Sequence, residues 1–218
     1  MSYVIAIDGP SASGKGTLSK LIAQSLDFAH LDTGLVYRYL AKAVLDRGLD
    51  ETCVEDVIAL AREIEAGFEL GDIDPSVLRS DAVSQMTSKT SAIPEVREIL
   101  KDIQIGFAAY PPKPHGGAVL DGRDIGTVIA PEADVKLFVT ASTEVRAERR
   151  YKELHNKDKS VMYGAVLQEM RERDERDSNR SVAPLRPADD AFVLDTSDLN
   201  IDQALEKALE IIRSKIGE

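Results

Sequence analysis

Apolar side chains along the chain recur in two rhythms. Tyr3-Val4-Ile5-Ala6-Ile7 is a short β-branched run, and after a Gly-rich stretch Leu18, Leu21, Ile22 and Leu26 fall at helical spacing, which predicts strand, loop, helix. Val36, Leu40, Val44 and Leu45 predict a second helix ending near Gly48. Ala118-Val119-Leu120, Lys136-Leu137-Phe138-Val139 and Ala191-Phe192-Val193-Leu194 are further strand candidates, the last two followed by helical patterns. Ile201, Ala204, Leu205, Ala208, Leu209 and Ile212 mark a final helix. Strands alternating with helices predict an α/β fold around a parallel sheet.

The stretch 50–110 departs from that rhythm. Val54, Val57, Ile58, Ala61 and Ile64 give one amphipathic helix, and Val96, Ile99, Leu100, Ile103 and Phe107 another. Between Asp50 and Pro75 nine acidic residues face one Arg, a net of −8 out of the chain's −11. This reads as an inserted helical subdomain with a solvated acidic face. The core is then 1–49 and 111–218, re-entered through Pro111-Pro112-Lys113-Pro114-His115-Gly116-Gly117.

At 218 residues, the length suits one compact domain or a core with an insertion, large enough to fold without disulfide or metal staples. No apolar stretch approaches the roughly 18 residues of a spanning helix, and Met1 to Asp8 lacks a signal-peptide pattern. Cys53 is alone, and three scattered histidines suggest no metal cluster, so a reducing cytoplasm is expected. Net charge −11 and a pI near 4.8 argue against nucleic-acid or membrane partners. Any basic site must be local, and a monomer is expected.

Gly9-Pro10-Ser11-Ala12-Ser13-Gly14-Lys15 matches the phosphate-binding loop up to its lysine, directly after a strand and opening a helix. Glycines let the backbone wrap phosphate oxygens, amides and the helix N-terminus supply positive ends, and Lys15 adds a point charge. Gly16 stands where a Ser or Thr hydroxyl would normally reach Mg²⁺; Thr17 carries the hydroxyl one residue later. Mg²⁺ held by nucleotide phosphates could then be reached through water, with Asp121 either serving it or simply turning the chain before Gly122.

Arg146, Arg149 and Arg150 lie at i, i+3, i+4 on one predicted helix, and Arg173, Arg176 and Arg180 at i, i+3, i+7 on another. Glu169 and Glu172 each precede an arginine by four, so ordinary ion pairing is one reading. The same spacing juxtaposes Arg146 with Arg150 and Arg176 with Arg180, a repulsion that a multivalent anion would relieve. Leu154 to Ser160 reads as a polar break, so the pair is either a lid over a nucleotide, at about 146–180, or a surface hairpin. Phosphoryl transfer needs charge around the moving group. Lys15 with Arg146, Arg150 and Arg176 of the two clusters are the catalytic candidates. A phosphate acceptor is already anionic and wants arginines rather than a base, and the arginine surplus favours it.

Four ordered motifs then carry a close resemblance over essentially the whole chain. They are Ile5-Ala6-Ile7-Asp8-Gly9-Pro10 into Gly14-Lys15-Gly16-Thr17; Leu31-Asp32-Thr33-Gly34 with Tyr37-Arg38; Asp121-Gly122-Arg123-Asp124 with Gly126-Thr127-Val128; and Arg173-Asp174-Glu175-Arg176-Asp177-Ser178-Asn179-Arg180 to Ala183-Pro184-Leu185. The sequence resembles the bacterial cytidylate kinases, nucleoside monophosphate kinases of the P-loop class. The Gly-Lys-Gly-Thr variant is normal there, and Ser often stands where Thr33 does.

The resemblance implies a P-loop core whose loop, Gly9 to Thr17, binds Mg²⁺-ATP, and transfer to CMP or dCMP. It implies that Arg38, Arg123 and Arg180 hold the acceptor phosphate, that Ser88, Arg97 and Asp124 face cytosine, and that Arg173 and Asp177 face the sugar, with Thr33, Gly34 and Tyr37 beside them. It also makes 50–110 the CMP-binding insertion. Asp124 could accept from the C4 amino group, where uracil presents an acceptor. Two rivals stay open: another small-molecule kinase acting on UMP or, with Asp32 as base, on a shikimate-like alcohol, and a non-catalytic nucleotide switch. Asn156-Lys157-Asp158-Lys159 superficially suits guanine recognition, but Lys159 stands where an Asp is required.

Overall fold

The computed structural model describes residues 2–67, 77–112 and 115–217. Part of the acidic stretch (68–76) and Lys113 and Pro114 of the proline-rich return lie outside the described residues. Five parallel strands, β1 (Tyr3–Asp8), β2 (Ala29–Asp32), β3 (Gly117–Gly122), β4 (Val135–Thr140) and β5 (Phe192–Asp195), form one sheet in the order β2-β3-β1-β4-β5. β1 sits centrally between β3 and β4, so the loop leaving its carboxyl end opens into a crevice.

Strand alternation sends Ile5, Ile7 and Val119 to one face. There they pack against Leu18 and Ile22 of α1 (Lys15–Leu26), and the layer includes Ala204, Ala208 and Ile212 of α8 (Ile201–Ile216). Ala6, Ala118 and Leu120 face the other way, in a layer with Phe107 of α5 (Pro94–Ala109) and with Ile125 and Ile129 of a π-helical turn. A further core is built by α2 (Thr33–Asp46), α3 (Val54–Gly67), α4 (Asp81–Thr90) and α5, through Val36, Leu40, Val57, Leu60, Val83 and Leu100. α6 (Thr143–Lys157) and α7 (Tyr163–Ser178) pair through Ala147, Val166 and Met170.

The pattern reading is corrected at three places. β2 has only four residues with alternating burial and a His inside, too short for a periodic signal. α4 buries Ser84, Thr87, Ser88 and Thr90 beside Val83 and Met86, so its inward face is not apolar in sequence. α6 runs through Lys157, so the break between the paired helices begins at Asp158, and α7 ends at Ser178, leaving Arg180 beyond it. Among the described residues no helix is long and apolar enough to cross a membrane.

Candidate functional site

The loop after β1 is shaped by backbone freedom. A side chain at Gly9 would stand 2.0 Å from the Val139 carbonyl oxygen, and Gly14 adopts φ 88° as α1 begins. Ser13 Oγ is buried without a hydrogen-bond partner. The loop's carbonyls are tied from outside: Arg149 Nη1 donates to Ser13 O at 3.3 Å, Thr196 Oγ1 to the same oxygen at 3.0 Å, and Arg146 Nη1 to Ser11 O at 3.3 Å. No side chain caps the start of α1, so its first amides are open to an anion. Lys15 Nζ donates to Pro10 O at 3.2 Å. Burial, with the charge of Arg123, lowers Lys15 to about 7 despite Asp121 and Asp32.

This loop borders a cleft of about 610 Å³ that also touches β2, α2, α4, α5, the end of β3, α6 and α7. Eight Lys and Arg line it against five Asp and Glu, a local excess of positive charge on an acidic chain. Arg123 Nε donates to Asp177 Oδ2 at 3.1 Å. Against burial, which would raise it, Arg123, Arg173 and Arg180 hold the Asp177 carboxyl below the usual carboxylate range. One carboxylate cannot satisfy three guanidiniums. Arg173 Nε and Arg180 Nε and Nη2 are buried with no hydrogen-bond partner. Burial and the facing Arg123 lower Arg173 to about 10, and burial with Arg97 also lowers Arg180.

At the other end of the cleft, Arg97 Nη2 donates to Asp124 Oδ2 at 2.5 Å in a buried pair, with its guanidinium 5.3 Å from the Tyr37 ring centroid. Gln104 Nε2 donates to the Tyr37 hydroxyl at 3.3 Å, and burial pushes that phenol up. Arg38 Nη1 donates to Ser84 Oγ at 2.8 Å, joining α2 to α4. Asp121 bonds His30 across 2.8 Å, and its Oδ1 lies 3.9 Å from where a Cβ on Gly16 would be. Burial and Asp121 push Asp32 up. Among the described residues no three His, Cys, Asp or Glu cluster as a metal cage. Mg²⁺ still suits this corner, because one fixed carboxylate beside a phosphate loop is enough for an ion that keeps most of its waters.

Most of the residues expected from sequence line this one cleft: Ser11 to Thr17, Thr33, Gly34, Tyr37, Arg38, Ser88, Arg97, Asp121, Arg123, Asp124, Arg150, Arg173, Asp177 and Arg180. Four lie outside its lining. Gly9 runs close against the Val139 carbonyl, and Pro10 O accepts from Lys15 Nζ. Arg146 is 4 % exposed and satisfied by Asp174 (2.6 Å), Ala141 O and Ser11 O, so as a catalytic candidate it is corrected to a brace on the loop. Arg176 lines a smaller side pocket and donates to Ser88 Oγ at 3.2 Å. The anticipated Glu169–Arg173 and Glu172–Arg176 pairs are absent among the described ion pairs; Arg150 instead binds Asp81 and Glu153. Pattern reading placed Arg149 only in an arginine cluster, where the structure has it bracing the loop, and it missed Thr196 and His30, because each is recruited from a distant element. Only their proximity in the fold reveals them.

A phosphate loop at the central strand, facing buried and unpaired guanidiniums, suits a P-loop protein that handles phosphorylated small molecules. The fold is likewise that of small-molecule kinases. A shikimate kinase from Bacteroides thetaiotaomicron superposes with TM-score 0.51 over 97 % of this chain and 98 % of its own at 10 % identity. A gluconokinase from Sinorhizobium meliloti does so with TM-score 0.50 over 99 % and 94 % at 16 % identity. Sequence narrows the class further. Residues 5–214 match the family described as Cytidylate kinase. The cytidylate kinase of Paramagnetospirillum magneticum is 56 % identical over 99 % of this chain and 100 % of its own length, and that of Methylocella silvestris 52 % over 97 % and 94 %. The chain belongs to the cytidylate kinase family.

Proposed function

We propose that the protein transfers the γ-phosphoryl group of ATP to CMP or dCMP, giving ADP and CDP or dCDP. The observation that carries this reading is the set of unpaired, buried guanidinium nitrogens on Arg173 and Arg180 in the same cleft as Lys15. Such groups are costly unless an anion meets them. The loop amides and Lys15 would hold the donor phosphates, while Arg38, Arg123 and Arg180 hold the acceptor phosphate. An anionic acceptor oxygen then attacks the γ-phosphorus as the bond to the β–γ bridging oxygen breaks, and no general base is required. Lys15, Arg123 and Arg150 meet the charge that builds on the transferred group. Bound Mg²⁺ would neutralise phosphate charge, with Asp121 as the protein group beside it, acting through water.

On the base, Asp124 accepts from the cytosine amino group, with Arg97 and Ser88 beside it and Arg173 and Asp177 toward the sugar. We assign 50–110, of which α3, α4 and α5 pack with α2, to the acceptor side and about 146–180 to a lid, in a protein working as a cytoplasmic monomer. An ADP-release assay across CMP, dCMP, UMP, AMP and shikimate tests the reading. CMP and dCMP should turn over best, and Asp124→Asn should lose activity selectively with them. Preference for AMP, UMP or shikimate in the unmodified protein would refute it.

A further inference from the structure

Asp8 ends β1, immediately before the phosphate loop, and is 4 % exposed. Its two carboxylate oxygens are divided between consecutive amides: Ile125 N donates to Oδ1 and Gly126 N to Oδ2, both at 2.8 Å. Those amides begin the π-helical turn that follows Asp124 directly, and the Asp124 carbonyl in turn accepts from Val128 N at 2.9 Å and Ile129 N at 3.2 Å. The approach is close: a Cβ on residue 126 would lie in contact with Asp8 Oδ2 at 3.4 Å and 3.2 Å from Lys136 Cδ. A buried carboxylate 117 positions away in sequence thus fixes the backbone that carries Arg123 and Asp124.

From this geometry we infer that Asp8 is a positioning residue that locks the acceptor-recognition residues Arg123 and Asp124 in register with the phosphate loop, and so sets the preference for cytosine. The inference rests on the reading of Asp124 as the cytosine contact. Asp8 is suited to this role by covalent continuity, since any displacement of the loop at Gly9 is passed through one carboxylate to the turn. Burial pushes Asp8 up to about 6, opposed by the two amides and Lys15 and reinforced by Asp124. An amide in its place could accept from one backbone N–H but would set its own NH₂ against the other.

The test is Asp8→Asn, assayed with CMP, UMP and ATP beside the unmodified protein, with near- and far-ultraviolet circular dichroism confirming the fold. KM for CMP should rise about tenfold, the ratio of kcat/KM for CMP over UMP should fall by a similar factor, and KM for ATP should change less than about threefold. Asp8→Glu, which keeps the charge but carries the carboxylate one methylene further and away from the two amides, should lower the same ratio and keeps the test available if Asp8→Asn does not fold. An unchanged CMP-to-UMP ratio in a folded variant, with kcat reduced equally for both, overturns the positioning role. If the unmodified protein itself fails to prefer CMP, it is the assignment of the substrate that falls.

Discussion

Binding of ATP should draw a proton onto Lys15. In the free protein burial and the Arg123 charge hold this lysine at about 7, far below its ordinary 10.5. A polyphosphate in the loop supplies the missing counter-charge and returns the pKa toward its ordinary value. A group at about 7 is about 0.9 deprotonated at pH 8 and about 0.1 at pH 6, so binding should take up about 0.9 proton at pH 8. At pH 8 the terminal phosphate, with a second pKa near 6, is already ionised and contributes little. The complex holds more protons than the free partners, so affinity for ATP should weaken as pH rises above about 7, by up to about tenfold per unit. The measurement is titration calorimetry of Mg²⁺-ATP in two buffers of different ionisation enthalpy at pH 8, with Lys15→Met as reference. Equal heats in both buffers would mean that Lys15 is already charged, and the electrostatic account of the cleft would be wrong. Folding carries the opposite sign from a salt-bridged lysine: between about 7 and 10.5 the unfolded chain binds the proton more readily, so this residue makes stability rise with pH.

Arg180→Ala should raise KM for CMP about 10- to 100-fold, the scale of one charge-assisted hydrogen bond, and leave KM for ATP within a few-fold; steady-state kinetics with each substrate varied checks this, and an unchanged KM for CMP removes Arg180 from the acceptor site. Thr196→Val deletes the hydroxyl bonds to Ser13 O and Thr140 O and the one accepted from Arg149 Nη1, leaving Arg149 Nη1 as the donor to Ser13 O, so KM for ATP should rise several-fold with little change for CMP. Equal effects on both substrates would show that Thr196 does not act through the phosphate loop.

The fold was legible wherever one face of an element is uniformly apolar. α3 and α8 meet that condition, β1, β3 and β4 come close to it, and α1 and α5 keep enough apolar positions at helical spacing to be read although they also bury Lys15 and Ser19, and Arg97 and Gln104. β2 and α4 do not, and the reason is functional in both. β2 ends at Asp32, which faces the cleft, and α4 turns Ser84, Thr87 and Ser88 toward it. Elements that carry polar groups inward erase the periodicity by which elements are recognised. The phosphate loop was legible for a different reason: its chemistry is local, so strand, glycines, lysine and helix follow one another within a single contiguous stretch.

The arginines were legible as a group and illegible one by one. Arg146, Arg150, Arg173 and Arg176 share helical spacings that give no hint of different duties. What separates them is the acid that the tertiary fold presents. Arg146 meets Asp174, so its charge is answered within the protein and its remaining nitrogens hold the Ser11 and Ala141 carbonyls, whereas Arg150 lines the cleft and, among the described residues, pairs only with the exposed Asp81 and Glu153. Arg173 and Arg180 share the single carboxylate of Asp177 with Arg123 and keep buried nitrogens unpaired. Desolvation without a partner is a cost the native state carries in the absence of ligand, and it is recovered only by an anion able to reach both groups. The same imbalance lowers Lys15 and Arg173 together. Donor and acceptor phosphates should therefore each relieve the other's site, and the two substrates should bind with positive coupling even though neither touches all of these residues.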